Sequence, residues 1–258
     1  GGGGCPRSRR ALALAERHRS KLSKRKNPTN VLYYRQIGIL PEALKNHLGL
    51  MGWSMPDGRE LFTIDEMVEA FSLERISLGG PVFDLAKLEW LNGRWMREKL
   101  TGDALYERVL DWMNLGDRMR RAVALAQPRA QRLTDVMGLI GFLFQGEIVM
   151  REDLIPQGDE RAAAISLYDD VITRIAEMEE WNRDAIERLL RAVAESRGEK
   201  LRSIVQPLYL ALTGSRTSIP LFEAMEFLGK DVCRQRLRTA RDLLDKKSQE
   251  SNSEVVAR

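Results

Sequence analysis

Lys21 and Lys24 stand three residues apart with Ser23 between them, inside the run Ser20-Lys21-Leu22-Ser23-Lys24-Arg25-Lys26-Asn27-Pro28. Six of these nine residues carry a hydroxyl or a positive charge, and no acid interrupts them. Ammonium groups at that spacing can meet the oxygens of a phosphate chain, while a serine hydroxyl and backbone N–H groups supply directed hydrogen bonds. The same composition also suits a solvated basic tail or a nucleic-acid patch, and the run by itself leaves these readings open.

Other chemistries find less support. Cys5 and Cys233 lie far apart, with His18 and His47 as the only histidines. That is neither a zinc spacing nor a disulfide framework, so no metal site is expected and a reducing, cytoplasmic compartment is. No run of 18 apolar residues appears, which argues against a membrane span. The chain has 258 residues and a net charge of +4, but residues 1–26 hold nine lysines and arginines against one acid. The remainder is net negative, so basicity is a local property of the amino end rather than that of a surface built to coat DNA.

Most of the chain reads as helix. Pro41 suits a first helical turn, and Leu44, Leu48 and Met51 follow at helical spacing, with His47 as a packing residue. Thr63-Ile64-Asp65-Glu66 reads as a capping box, with Phe62 and Met67 as its hydrophobic staple. Asp84 can cap the next helix, with Gly93 just past its end. Further helices are predicted near 102–114, 117–126, 129–139, 160–178, 180–196, 200–212, 220–228 and 231–246. In the last of these, Cys233, Leu237, Ala240 and Leu244 form an apolar stripe beside the basic face Lys230, Arg234, Arg238 and Arg241. That face is read either as solvated or as one that follows RNA phosphates. Asp169, Arg174, Glu177 and Arg188 are read as solvated positions. Residues 1–19 and 247–258 are expected to be poorly ordered.

Several motifs in order carry a family likeness. Lys21-Leu22-Ser23-Lys24-Arg25 resembles the Lys-Met-Ser-Lys-Ser loop of class I aminoacyl-tRNA synthetases. Gly38-Ile39-Leu40-Pro41-Glu42-Ala43, Leu48-Gly49-Leu50-Met51-Gly52-Trp53-Ser54, Ser77 to Asp84, Lys87-Leu88-Glu89-Trp90-Leu91-Asn92-Gly93, Leu212-Thr213-Gly214 and Pro220-Leu221-Phe222-Glu223 are similar to bacterial glutamyl-tRNA synthetases. The resemblance covers about Lys21 to Leu244, with Arg25 in place of the motif's last serine. Residues 1–19 do not share it.

The resemblance implies a mostly helical chain: the loop and a stem-contact region over 20–100, then an all-helical anticodon-binding domain over 101–246 and a polar tail over 247–258. An all-helical anticodon half also sets it apart from glutaminyl enzymes. In the family the loop closes over ATP, with Mg in the complete enzyme, as the glutamate carboxylate attacks the α-phosphorus and pyrophosphate leaves. Lys21 and Lys24 then take catalytic phosphate contacts, Ser23 a hydrogen bond, Leu22 the adenine side, and Arg25 the motif's last position. Arg129 falls where the family often reads the last anticodon base. Tyr209, Ser218 and Leu221 fall where other anticodon contacts are made, and Tyr209 replaces an arginine found in some relatives. Arg234 and Arg238, on the basic face of the last helix, are added to the tRNA-facing set from their own pattern, with a solvated surface as the other reading. The His-x-Gly-His signature is not found here: His47-Leu48-Gly49-Leu50 lacks its second histidine and lies after the loop. The chain alone is therefore expected not to aminoacylate. The expected function is that of the carboxyl-terminal portion of a monomeric glutamate–tRNA ligase, with glutamate-specific tRNA, ATP and glutamate as partners. The other reading is a free-standing truncated paralogue that binds RNA or a protein without catalysis.

Overall fold

A computed structural model describes residues 29–77, 83–148, 150, 152–216 and 218–256. The basic run at 20–28 and the Gly-Gly-Pro turn at 79–81 lie outside the described residues. Among those described, every regular element is helical, and several helices begin where a side chain accepts from their first N–H groups. The chain divides into two units, Gly1–Val109 and Leu110–Arg258.

In the first unit, α1 (Val31–Gln36) is capped by Asn30, whose side-chain oxygen accepts from the Leu32 N–H at 3.0 Å. Helix α2 (Pro41–Leu50) opens on Pro41, which has no N–H to leave unpaired. Thr63 and Glu66 close the expected capping box on α3 (Ile64–Ala70). The Glu66 N–H donates to Thr63 Oγ1 at 3.1 Å, and the Thr63 N–H donates to Glu66 Oε2 at 2.6 Å. Asp84 caps α4 (Leu85–Glu98) by accepting from the Lys87 N–H at 3.2 Å.

Gly93, expected past the end of this helix, lies inside it. The reason is packing: Leu88, Leu91, Asn92 and Trp95 continue one buried stripe across the glycine. Burial of Leu91 and Trp95 against Ala43 and Leu61 outweighs the roughly 1 kcal/mol that a mid-helix glycine costs.

Two buried amides join α2 to α4. Asn46 Oδ1 accepts from Trp95 Nε1 at 3.1 Å and from the Phe62 N–H at 3.3 Å, while its Nδ2 donates to the Glu60 carbonyl at 2.9 Å. Asn92 Oδ1 accepts from the Leu40 N–H at 2.9 Å, at the start of α2. His47 packs as expected, 2% exposed and edge-on to Phe83 at 5.1 Å. Neither of its ring nitrogens has a hydrogen-bond partner among the described residues. Burial lowers its pKa, the charge of Lys87 lowers it further, and Asp84 opposes them.

Helix α5 (Gly102–Asn114) leads into the second unit, which contains α6 (Arg118–Ala126), α7 (Leu133–Ile140), α8 (Gly158–Glu177), α9 (Arg183–Ser196), α10 (Leu201–Thr213), α11 (Leu221–Leu228) and α12 (Lys230–Val256). Helix α12 packs against α8, α10 and α11. Its predicted apolar stripe is the buried one, with Cys233, Leu237 and Leu244 at 0% exposure. Burial pushes the Cys233 thiol up to about 12. The helix runs on to Val256, ten residues past its predicted end, because Lys, Ser, Gln and Glu continue it without a glycine or proline. Pro207 sits inside α10, and its carbonyl accepts from the Tyr168 hydroxyl on α8 at 3.0 Å. Gly214, at φ +69°, ends α10 in a conformation that side chains rarely adopt. No helix among the described residues is long and apolar enough to cross a membrane.

Candidate nucleic-acid interface

Two turns of the second unit converge on the residues expected to meet RNA. The first joins α6 to α7. Arg118 anchors the start of α6, with the guanidinium 5.3–5.6 Å from the ring centres of Trp112, Phe144 and Phe227. Arg118 Nη2 also donates to the Leu143 carbonyl at 3.2 Å. At the other end of α6, the N–H groups of Arg129 and Ala130 donate to the Ala126 carbonyl at 2.9 and 3.1 Å. This tight turn presents Arg129 as an exposed side chain.

The second turn joins α10 to α11 and is pinned on two sides. The Tyr209 hydroxyl donates to the Ile219 carbonyl at 2.6 Å, and the Ser218 hydroxyl donates to the Leu139 carbonyl of α7 at 2.9 Å. Thr213 ties the start of the turn, donating to the Tyr209 carbonyl at 2.8 Å and accepting from the Ser215 N–H at 3.1 Å. Burial pushes the Tyr209 phenol above its ordinary pKa. The charge of Arg129 acts against that shift and the charge of Glu223 with it. Arg129 therefore lies within electrostatic reach of Tyr209 and of the turn that Tyr209 pins, although they are 80 and more residues apart in sequence.

The expected residues differ in what they can offer. Arg129 is exposed, and its five N–H donors form a planar fork suited to a base edge or a phosphate. Tyr209 is half-buried with its hydroxyl engaged, which leaves part of the ring as a stacking surface. Ser218 is 9% exposed with its hydroxyl committed, and Leu221 is 4% exposed. Leu221 is thus a core residue of α11 rather than an open contact, since the apolar side of that short helix must face the bundle. Leu133 and Met137, one turn apart on α7, are 89% and 54% exposed. Sequence reading passed over them because apolar residues at helical spacing ordinarily signal core.

The basic face of α12 is used inside the protein. Lys230 donates through Nζ to the Ala176 and Met178 carbonyls, at 3.3 and 2.5 Å, where α8 ends. Arg234 is 6% exposed, with Asp231 3.9 Å away. Arg241 pairs with Asp169 at 3.0 Å and with Asp242 at 2.6 Å. Arg238 is half-buried, and desolvation lowers its pKa. The reading of Arg234 as a phosphate contact is corrected accordingly: it is buried with Asp231 of its own helix near it, while the carbonyl end and a carboxylate of α8 hold Lys230 and Arg241. Asp169 and Arg174, expected as solvated positions, are likewise paired, Arg174 with Asp170 at 2.8 Å. Lys21, Leu22, Ser23, Lys24 and Arg25 lie outside the described residues.

The second unit thus combines an exposed arginine on a tight turn, a half-buried tyrosine within its electrostatic reach, and a pinned turn. Residues 104–241 match the family model described as the anticodon binding domain, and the chain belongs to that family. Residues 5–90 match the model of the catalytic domain of class I tRNA synthetases (E and Q). That match includes residues 5–19, which the motif resemblance did not reach.

The relatives narrow the likeness to glutamate–tRNA ligases. The chain is 42% identical over 232 residues to the glutamate–tRNA ligase of Psychrobacter sp. (strain PRwf-1), covering 88% of this chain and 45% of the relative. It is also 42% identical over 237 residues to that of Pseudomonas entomophila (strain L48), covering 92% and 48%. The chain thus spans about half the length of these relatives. A solved glutamate–tRNA ligase from Elizabethkingia meningosepticum aligns with a TM-score of 0.43 at 22% identity, over 90% of this chain and 50% of that one.

Proposed function

We propose that this chain acts as the carboxyl-terminal, tRNA-binding portion of a glutamate–tRNA ligase, holding the stem and anticodon of a glutamate-specific tRNA. The observation that carries the reading is the convergence of exposed Arg129, half-buried Tyr209 and the pinned Ser218–Ile219 turn within the stretch that matches the anticodon binding domain. Unpaired RNA bases are distinguished by hydrogen bonds to their edges and by stacking on flat side chains. Arg129 supplies the donors, and Tyr209 supplies a ring whose orientation is held by its own hydroxyl. Because the turn is pinned on both sides before RNA arrives, little ordering remains to oppose binding.

The second part of the proposal concerns the loop at Lys21–Arg25. In the complete ligase, Lys21, Ser23, Lys24 and Arg25 bind the phosphates of Mg-bound ATP, and Leu22 lies toward the adenine. Fixed cations there offset the charge that develops on the leaving pyrophosphate when the glutamate carboxylate attacks.

The test is equilibrium binding of this chain to glutamate-specific and to unrelated tRNA. Tighter binding of the glutamate-specific tRNA is expected. Arg129→Gln should lose about 1–3 kcal/mol of that preference, and equal affinity for both tRNAs would overturn the reading. For the loop, Lys24→Ala in the complete enzyme should slow ATP-dependent activation of glutamate by tenfold or more, on the order expected for removing one charge-stabilising contact. An unchanged rate refutes it.

A further inference from the structure

Helix α4 carries a second arrangement suited to RNA, in the unit that does not contain the anticodon-facing turns. Trp90, Gly93, Arg94 and Arg97 fall on one face by helical periodicity. Trp90 is 46% exposed, an unusual position for the largest apolar side chain. One side of its indole is backed by Arg94, whose guanidinium lies 5.1 Å from the ring centre. Arg94 is held there by Glu98, with Nε to Oε1 at 2.6 Å and Nη2 to Oε2 at 2.7 Å. The ring is therefore braced by a cation whose charge is already neutralised.

One turn further on, Arg97 bends back across Gly93. A Cβ at that glycine would come within 2.9 Å of Arg97 Nη1. The glycine gives the guanidinium a seat on the same helix face as Trp90, two turns along, which also explains a residue that otherwise weakens the middle of a helix. Arg97 is exposed and makes no hydrogen bond or ion pair among the described residues, and Lys99 beside it is exposed as well. The face thus combines an open aromatic ring with an uncommitted planar cation.

Charge selects the occupant. An apolar protein surface docking on Trp90 would strip water from Arg97 and leave that charge uncompensated, which is costly. A polyanion with flat bases meets both groups at once: phosphate oxygens accept from the Arg97 fork, and a base or ribose lies against the indole. We infer that Trp90 and Arg97 form a nucleotide-contact site on α4, with Trp90 stacking on an unpaired or terminal base of the bound tRNA and Arg97 holding an adjacent phosphate. The inference rests on the tRNA-binding reading above and adds a contact far in sequence from Arg129.

The experiment measures binding of the full chain to glutamate-specific tRNA across a salt series, for the parent and for W90A, W90F, R97Q and R129Q. W90A should weaken binding about 5- to 150-fold with the salt slope unchanged, and W90F should recover most of that loss. R97Q should reduce the slope of log K against log salt concentration by about 0.7–0.9, the signature of one phosphate contact removed. Trp90 and Arg97 are exposed, so far-UV circular dichroism should be the same for all five proteins. If R129Q weakens binding while W90A stays within twofold of the parent and R97Q keeps its slope, the α4 site is refuted and the anticodon reading stands. If the parent does not bind the tRNA, both fall together.

Discussion

Arg236 offers the sharpest test of how the second unit holds together. It lies on α12 and is 4% exposed. Its Nη1 donates to the Leu212 carbonyl at 2.7 Å, and its Nη2 donates to the carbonyls of Phe142, at 2.8 Å, and Gln145. Leu212 belongs to the last turn of α10, whose carbonyls have no partner within the helix. Phe142 and Gln145 lie in and just after the short 3-10 turn at Gly141–Phe144. One guanidinium therefore terminates two helical segments that are about 70 residues apart in sequence. Arg236→Met keeps much of the length and apolar stem but takes a donor from three carbonyls, of which Phe142's keeps the Gln145 N–H at 3.3 Å. Each hydrogen bond to a charged group contributes about 1.5–3 kcal/mol, partly offset because the variant no longer buries a charge. A net loss of about 3–5 kcal/mol is expected, a large share of the roughly 5–15 kcal/mol that holds a typical domain. In a unit of this size that lowers the melting temperature by about 6–20 °C. Urea and thermal unfolding followed by circular dichroism would show it, with Arg236→Lys falling in between. A shift below about 2 °C for Arg236→Met would mean that these carbonyls find other partners at little cost, and the reasoning would fail.

Two further outcomes follow from the first unit. Asn46→Ala should destabilise by about 2–4 kcal/mol, because the Trp95 indole N–H, the Phe62 N–H and the Glu60 carbonyl lose their shared partner; the check is the urea midpoint at unchanged slope. His47 is buried in its neutral form and its pKa is lowered from 6.5. The unfolded chain therefore binds the proton first, so stability is fully present above pH 6.5. It falls with decreasing pH from there down to the folded-state pKa, by at most about 1.4 kcal/mol per unit. Unfolding free energies measured at pH 7.5 and 5.5 should differ less in His47→Phe than in the parent; an equal difference would remove His47 from the account.

Much of the helical scaffold was legible because its signals are local. Thr63 and Glu66 need only each other to form a capping box, and Asp84 needs only the N–H three residues on. The stripe Cys233, Leu237, Ala240 and Leu244 needs nothing but period. The fate of the basic stripe beside it was not legible. Lys230, Arg234 and Arg241 repeat at helical spacing whether they face water, RNA or the protein. Lys230 finds backbone carbonyls at the end of α8, Arg241 the carboxylate of Asp169, and Arg234 is buried near Asp231, which no pattern of types announces. Gly93 misled for a related reason: glycine marks a helix end when nothing packs across it, and here Trp95 does.

The sequence by itself determined that the chain is helical, where most helices start, and, through ordered motifs, which family it resembles. Capping, periodicity and proline geometry act over three or four residues and can be read wherever they occur. Tertiary structure alone decided which cations remain open. It turned Arg234 and Arg236 inward, brought Arg129 within electrostatic reach of Tyr209, and set Arg97 across Gly93 on the helix face that carries an exposed Trp90. Whether a charge meets solvent or a carbonyl depends on chain segments tens of residues away, and that pairing exists only once the helices have packed.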